Sequence, residues 1–340
     1  MRVLLTGADG YIGVRMGHYL LARNHEVVGL DSGFHRSGWL YNSDDRRPAM
    51  ITKDTRQVTE EDLAGFDAVV HLAEVSNDPV GEVDPGVTYK INHQGTVYLA
   101  NQAKRAGVRR FVHMSSCSVY GASSDRASKE GDATAPLTSY AKCKLLVEQD
   151  VGALASDDFS PTFLRNATAY GASPRQRFDL VVNDLAASAY IFREIRMTSD
   201  GKPWRPFVHI LDISHAVACV LEAPQDAIHG EIFNVGSEEQ NYQVRQIAEI
   251  LSELVPGCSL VFGDSADARN YRVDFSKIHE RLPGFRCAWN VARGAREMLD
   301  MFARVGFAED LYRWSGHTRL KQIRYLLDSG QIDENFFWCW

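Results

Sequence analysis

Short apolar runs alternate with amphipathic stretches through the first half of the chain. RVLLT (2–6), EVVGLD (26–31), AMITKD (49–54), AVVHLAE (68–74), RFVHMSS (110–116) and SPTFLRNA (160–167) are brief and largely apolar. Between them, YIGVRMGHYLLAR and YKINHQGTVYLANQAKRAG carry apolar residues at helical spacing. Continuously apolar strands are buried on both faces, as in a parallel sheet covered by helices. Strand–helix alternation with right-handed crossovers predicts an α/β fold with a doubly wound parallel sheet.

Past residue 168 the rhythm changes. Loops lengthen around GASPRQRFD and SDGKPWRPF, and helical patterns follow at 181–195, 213–222 and 242–255. We expect a first domain over 1–168 with 206–236 returning to it. A smaller, mixed α/β substrate-binding lobe with C-terminal helices then spans 169–340. The tail from 308 mixes basic and aromatic residues and predicts a packed helix and strap rather than a recognition arm.

Composition narrows the function classes. The chain has 340 residues, 45% of them apolar and 24% charged, which suits one large domain or two intimate ones. A formal net charge of −7 offers no basic face for nucleic acid or anionic lipid. No run approaches the ~20 apolar residues of a membrane span. MRVLLTGADG runs straight into a strand and glycines, without the pattern of a signal peptide, so a cytoplasmic location is expected. Cys117, Cys143, Cys219, Cys258, Cys287 and Cys339 are scattered without a CxxC pair, which predicts free thiols and no metal site.

TGADGYIG places Gly7, Gly10 and Gly13 after the first strand and at the start of the first helix, with Tyr11 and Ile12 between the last two. Glycine permits a tight turn and close backbone approach, while a helix N-terminus offers unpaired N–H groups to a pyrophosphate. The G-x-x-G-x-x-G spacing therefore reads as a dinucleotide cradle, against the plainer alternative of turn glycines. Asp31 ends the second strand, where a carboxylate accepts from ribose hydroxyls and repels a 2′-phosphate. That favours NAD over NADP, although Arg36 nearby weakens the inference. Asp54 closes the third strand and Thr55 follows it. Asp54 is a candidate partner for the adenine amino group or an ordinary turn residue.

TSYAKCKLL (138–146) sets Tyr140 and Lys144 one helical turn apart. Taken alone, the two are amphipathic side chains at a surface. Side by side on a helix, however, an ammonium favours the phenolate of its neighbour. A tyrosine with pKa ~10 needs a downward shift of ~3 units, about 4 kcal/mol, to serve as a base at neutral pH.

With HLAEVSND, NHQGT and SSCSVYG in order between the glycine motif and Tyr140-x-x-x-Lys144, the chain resembles the extended short-chain dehydrogenase/reductases. Within them it is similar to the nucleotide-sugar epimerase/dehydratase group, over roughly 1–305. The resemblance implies a Rossmann fold, NAD as cofactor and a nucleotide-diphosphate sugar as substrate. It makes Tyr140, Lys144 and Ser116 the catalytic residues, with Lys144 also holding the nicotinamide ribose. Leu72, Ala73 and Asn92 match positions that line or support the cofactor. Ser76, Ser118, Thr168, Asn183, Arg205 and Arg269 are the substrate candidates, with Arg272 a rival to Arg269. A homodimer through a four-helix bundle built from about 86–106 and 139–156 is also implied.

Departures refine the expectation. Dehydratases of this group place carboxylic acids directly after the catalytic Ser or Thr, where this chain has Cys117 and Ser118. The family's LRYFNVYG is LRNATAYG here, with Thr168 for an asparagine, and RDF is RPF, with Pro206 for aspartate. The leading expectation is an NAD-dependent epimerase inverting C4 through a transient 4-keto sugar, with the cofactor regenerated in each cycle. A 4-ketosugar reductase is the runner-up and a 4,6-dehydratase the third. A non-catalytic dinucleotide sensor has no reason to keep Ser116, Tyr140 and Lys144 together.

Overall fold

The computed structural model describes residues 1–43, 45–76, 83–122, 126–265 and 270–339. The apolar runs form β1 (Arg2–Thr6), β2 (Glu26–Asp31), β3 (Ala49–Thr52), β4 (Ala68–His71), β5 (Arg110–Ser116) and β6 (Ser160–Asn166). With β10 (Ile232–Val235) they make one seven-stranded parallel sheet in the order β10-β6-β5-β4-β1-β2-β3. The order reverses direction between β1 and β4, the switch point at which such sheets open a ligand crevice at their carboxyl ends.

Alternate residues of each strand feed two cores. Val3 and Leu5 join Met16 and Leu20 of α1 (Tyr11–Ala22) on one face. Leu4 joins Leu99 of α2 (Thr96–Arg105) and Val147 of α3 (Ser139–Gly152) on the other. Both faces are thus covered, which is why these strands read as continuous apolar runs. Edge strand β3 is exposed at every position.

The second half builds a separate apolar core. Strands β7 (Thr168–Tyr170), β9 (Trp204–His209) and β11 (Asn241–Gln243) form a three-stranded sheet. Strands β8 (Glu194–Arg196) and β12 (Ser259–Val261) form a second small sheet. Helices α4 (Val181–Phe192), α6 (Val244–Leu254) and α7 (Val291–Val305) pack here through Leu185, Ile247, Leu251, Met298 and Phe302. Between them, α5 (Ile210–Glu222) crosses back to the large sheet and packs its Val217 and Val220 into the α1 side, leading to β10 beside β6. Strand β9 itself pairs with β7 and β11 rather than with the large sheet.

The tail carries helix α8 (Arg319–Asp328) and a strap to residue 339. Ile323, Leu326, Ile332 and Phe336 cover Val75, Val87 and Ile91 beyond the end of β4. Among the described residues, no helix is long and apolar enough to cross a membrane.

Candidate active site

The glycine motif folds as a close-approach turn. Gly7 has φ +70°, and a Cβ on it would lie 2.8 Å from the Leu72 carbonyl carbon and 2.9 Å from the Ala73 nitrogen. A Cβ on Gly13 would lie 2.0 Å from the Gly7 carbonyl oxygen, so a side chain at either place forces the backbone to move. The loop thus presses against Leu72–Ala73, whose N–H groups both reach the Thr6 hydroxyl oxygen at 3.3 Å. Helix α1 starts at Gly10 with no side-chain cap and no acid in its first turn, leaving its first N–H groups for an anion. This cradle, with Ile12 in the first turn, fits a dinucleotide pyrophosphate.

Asp31 stands at the end of β2 and accepts from the N–H of Gly33 at 2.8 Å and of Asp9 at 3.1 Å. Burial holds its carboxyl above the usual range, against the help of those N–H donors. Its position suits a ribose hydroxyl, which could donate to the remaining lone pairs.

Several other nominated cofactor residues turn out to brace the cleft. Tyr11 is buried, donates its hydroxyl to the Gly171 carbonyl at 2.8 Å and accepts from Asn183 at 3.0 Å. Asn92 grips the Val75 backbone in both directions, accepting from its N–H at 2.8 Å and donating to its carbonyl at 2.9 Å. Asp54 accepts from the backbone and guanidinium of Arg56 at 2.7–2.9 Å, capping the turn that Thr55 begins. These polar groups are spent on neighbouring backbone or charge, so they hold the walls in place.

The three nominated catalytic residues lie on two adjoining elements, Tyr140 and Lys144 on α3 and Ser116 at the end of β5. Ser116 closes β5, half-buried, and its Oγ accepts from the Ser118 N–H at 3.2 Å. Thr138 caps α3 by accepting from the Ala141 N–H at 3.2 Å, setting Tyr140 in the first turn. The Lys144 ammonium lies 5.4 Å from the Tyr140 ring centroid and donates to the Met114 carbonyl, two residues before Ser116. Lysine thereby pins the tyrosine's helix to the serine's strand.

Sequence reasoning missed Glu74. It follows Leu72–Ala73, its carboxylate is 2% exposed, and it forms an ion pair with Lys144, itself 4% exposed. Burial alone would lower the pKa of Lys144. The Glu74 carboxylate and the Tyr140 phenol outweigh it and hold the ammonium above the ordinary lysine range. Burial likewise keeps the Glu74 carboxyl above its usual range, with Lys144 opposing. The only signal in the sequence was an acid inside the apolar run AVVHLAE.

His71, Glu74 and His113 gather within 4.8 Å, a grouping the scattered sequence positions did not suggest. Its cation is already present as Lys144. Both His71 nitrogens meet threonine hydroxyls, Thr6 at 2.7 Å and Thr96 at 2.8 Å. Burial and Lys144 push His71 down to about 3 and His113 well below the histidine range, so both rings are neutral.

The substrate candidates divide. Asn183 is fully buried, accepting from the Gly171 N–H at 3.2 Å and donating to Tyr11 and to the Arg177 carbonyl at 3.1 Å. With both amide N–H groups taken, its side chain ties the ends of the 171–177 segment together. Ser76 sits at the cleft edge, its hydroxyl 3.3 Å from Arg177. The Ser118 hydroxyl is buried without a partner among the described residues, and Thr168 is half-buried in β7. Arg205 is 5% exposed in β9 with its guanidinium 5.5 Å from the Tyr271 ring centroid. Arg269 lies outside the described residues, and Arg272 stacks on Trp204 at 5.3 Å. Cys117 is fully buried and donates its thiol to the Arg165 carbonyl at 3.1 Å. Burial drives its pKa far up, so the position supplies no acid.

Residues 3–236 match the model of the NAD dependent epimerase/dehydratase family. A UDP-glucose 4-epimerase of Corynebacterium glutamicum is 30% identical over 271 residues, 75% of this chain and 80% of the relative. A UDP-glucuronate 4-epimerase of Thermodesulfobacterium geofontis is 27% identical over 329 residues, 92% of this chain and 95% of the relative. Among solved structures, DesIV, a dTDP-glucose 4,6-dehydratase from Streptomyces venezuelae with NAD bound, is similar at a TM-score of 0.79 and 26% identity, covering 92% of this chain and all of its own. MoeE5, solved in complex with UDP-glucuronic acid and NAD, is similar at 0.77 and 25% identity, covering 89% of this chain and 99% of its own.

Proposed function

The chain belongs to the NAD dependent epimerase/dehydratase family, and from that premise we propose that it is a nucleotide-sugar 4-epimerase. The observation that carries this reading is the Ser116, Tyr140 and Lys144 set with no acid at the two positions after Ser116, Cys117 being buried with its thiol given to a carbonyl and Glu74 being paired with Lys144. Tyr140 takes the proton of the sugar's 4-hydroxyl and later returns it. Ser116 hydrogen-bonds the same oxygen as it becomes a carbonyl. Lys144 keeps the phenol easy to ionise and holds the nicotinamide ribose. Gly7, Gly10 and Gly13 with the α1 N-terminus hold the pyrophosphate, Leu72–Ala73 form the wall, and Asp31 accepts from the adenosine ribose. Bound NAD supplies a hydride acceptor that becomes the donor in the return half of the cycle.

4,6-dehydration needs an acid to expel water, and residues 117 and 118 offer a buried thiol and a hydroxyl. The 4-epimerases among the similar proteins support the same choice. As part of this proposal two copies pair through α2 and α3, where Val97, Asn101 and the exposed Tyr98 of α2 line one surface with Asp150 of α3.

The test is incubation of the purified protein with UDP-, GDP-, dTDP- and CDP-sugars, followed by NMR of the products and absorbance at the NADH band. A C4 epimer formed without net NADH change is expected. Stoichiometric NADH loss with a keto sugar, or a 4-keto-6-deoxy product, overturns the epimerase. Replacing Tyr140 by Phe should lower turnover at least ~100-fold, as loss of a general base does, and leave NAD bound.

A further inference from the structure

The C-terminal tail brings the charged side chain of Arg319 near Asp31 at the end of β2. Arg319 opens α8, is 4% exposed, and donates its backbone N–H to Asp179 at 3.1 Å. Its charged neighbours are Arg177, Asp179, Asp31 and Arg175, with a buried, neutral His35 among the three arginines. Two of those arginines have carboxylates of their own. Arg175 grips Asp9 at 2.5 and 3.1 Å, and Arg177 grips Asp179 at 2.8 and 3.2 Å. Asp31 is taken by the N–H groups of Gly33 and Asp9. Among the described residues, no carboxylate or carbonyl pairs with the Arg319 guanidinium. Burial and the two like charges push its pKa down to about 9. A nearly buried cation left over after its neighbours have paired calls for an anion from outside the chain.

The surroundings say which anion. Arg175 is anchored on Asp9 inside the glycine loop. Arg177 reaches the Ser76 hydroxyl at 3.3 Å and carbonyl at 3.4 Å, just past the Leu72–Ala73 wall. The strap is tied across the same strand ends. Trp338 donates to the Ser32 carbonyl at 2.7 Å, Gln322 to the Phe34 carbonyl at 3.1 Å, and Arg56 to the Asn335 carbonyl at 2.8 Å. Arg319 therefore stands near Asp31 at the carboxyl end of β2 and beside the Arg175 that holds Asp9 of the glycine loop. A guanidinium there matches a diphosphate fork to fork.

We propose that Arg319 is a cofactor-binding residue delivered by the C-terminal strap: its guanidinium pairs with the pyrophosphate of the bound dinucleotide, and the strap closes over the adenosine half. This rests on the placement of NAD in this cleft given above.

Full-length protein stripped of nucleotide is titrated calorimetrically with NAD, ADP and adenosine, as wild type and as Arg319→Gln, Arg319→Met and Arg319→Lys. A charged hydrogen bond to phosphate predicts that Gln and Met weaken NAD and ADP about 10- to 100-fold, while adenosine changes less than about twofold. Lys falls between, and Met keeps the apolar stem in place. Variants that bind NAD and ADP as wild type does overturn the proposal. So does an equal loss for adenosine, which marks Arg319 as a structural residue of the strap. Wild-type protein that binds neither NAD nor ADP overturns the cofactor placement first, and this inference with it.

Discussion

At the scale of single residues, the ion pair between Glu74 and Lys144 changes how the tyrosine is tuned. An ammonium lowers a neighbouring phenol's pKa through its field, and a carboxylate on that ammonium cancels part of it. The groups facing Lys144 are Glu74 from the β4 loop, Tyr140 and Cys143 from its own helix, and neutral His113 and His71 from β5 and β4. Glu74 is the one negative charge among them. If Tyr140 acts as phenolate, activity falls as pH drops through its pKa, and a nearby negative charge moves that limb toward alkaline pH. Replacing Glu74 by Gln should therefore shift the acidic limb of kcat downward by about one unit. A kcat–pH profile measured at saturating sugar checks this, and an unmoved or alkaline-shifted limb sinks it. The placing of Tyr140 beside Lys144 was legible because it depends on spacing along one helix. Glu74 was not, because its partner lies seventy residues away in sequence and only the sheet brings them together.

At the scale of elements, α3, β5 and β6 are held in register by a buried polar chain. Glu148 accepts from the Ser115 hydroxyl at 2.5 Å and from Arg165 at 2.6–3.2 Å. Arg165 also donates to the Tyr120 hydroxyl at 3.0 Å, which donates to Asn234 at 2.7 Å. Ser115 precedes the nominated Ser116 and Glu148 lies one turn beyond Lys144, so this chain sets the distance between the strand and the helix that carry the candidate residues. Removing one member of a buried pair leaves the other charge unmatched. Arg165→Met should cost about 3 kcal/mol in urea unfolding, and Glu148→Leu added to it should recover part of that loss. Equal stability of the single variant and wild type would show the chain to be incidental. The braces Tyr11, Asn92 and Asn183 teach the same lesson. A motif places a polar residue near a ligand crevice, but the sequence does not say whether its hydrogen bonds go to the ligand or to the wall. The short strands β7, β8, β11 and β12, three residues each, escaped the pattern for a simpler reason: three residues are too few to show a period.

At the scale of the molecule, the cleft is a joint between the two cores. Tyr11 of the glycine loop meets Gly171 and Asn183 of the second lobe, Arg175 ties that lobe to Asp9, and the strap binds Ser32 and Arg56 from the far side. On the proposed placement, a dinucleotide between them would bind only when these layers are assembled. Unfolding must then release it, which makes cofactor and global stability one equilibrium. NAD at a hundredfold its dissociation constant adds about 2.7 kcal/mol. Spread over the unfolding entropy of a chain this long, that is a rise of about 4 °C in Tm. Thermal melts of stripped protein with increasing NAD should follow the logarithm of its concentration, with both lobes melting together. A second transition that NAD leaves in place would mean that the cofactor holds the first domain alone and that the lobes are joined by their own contacts.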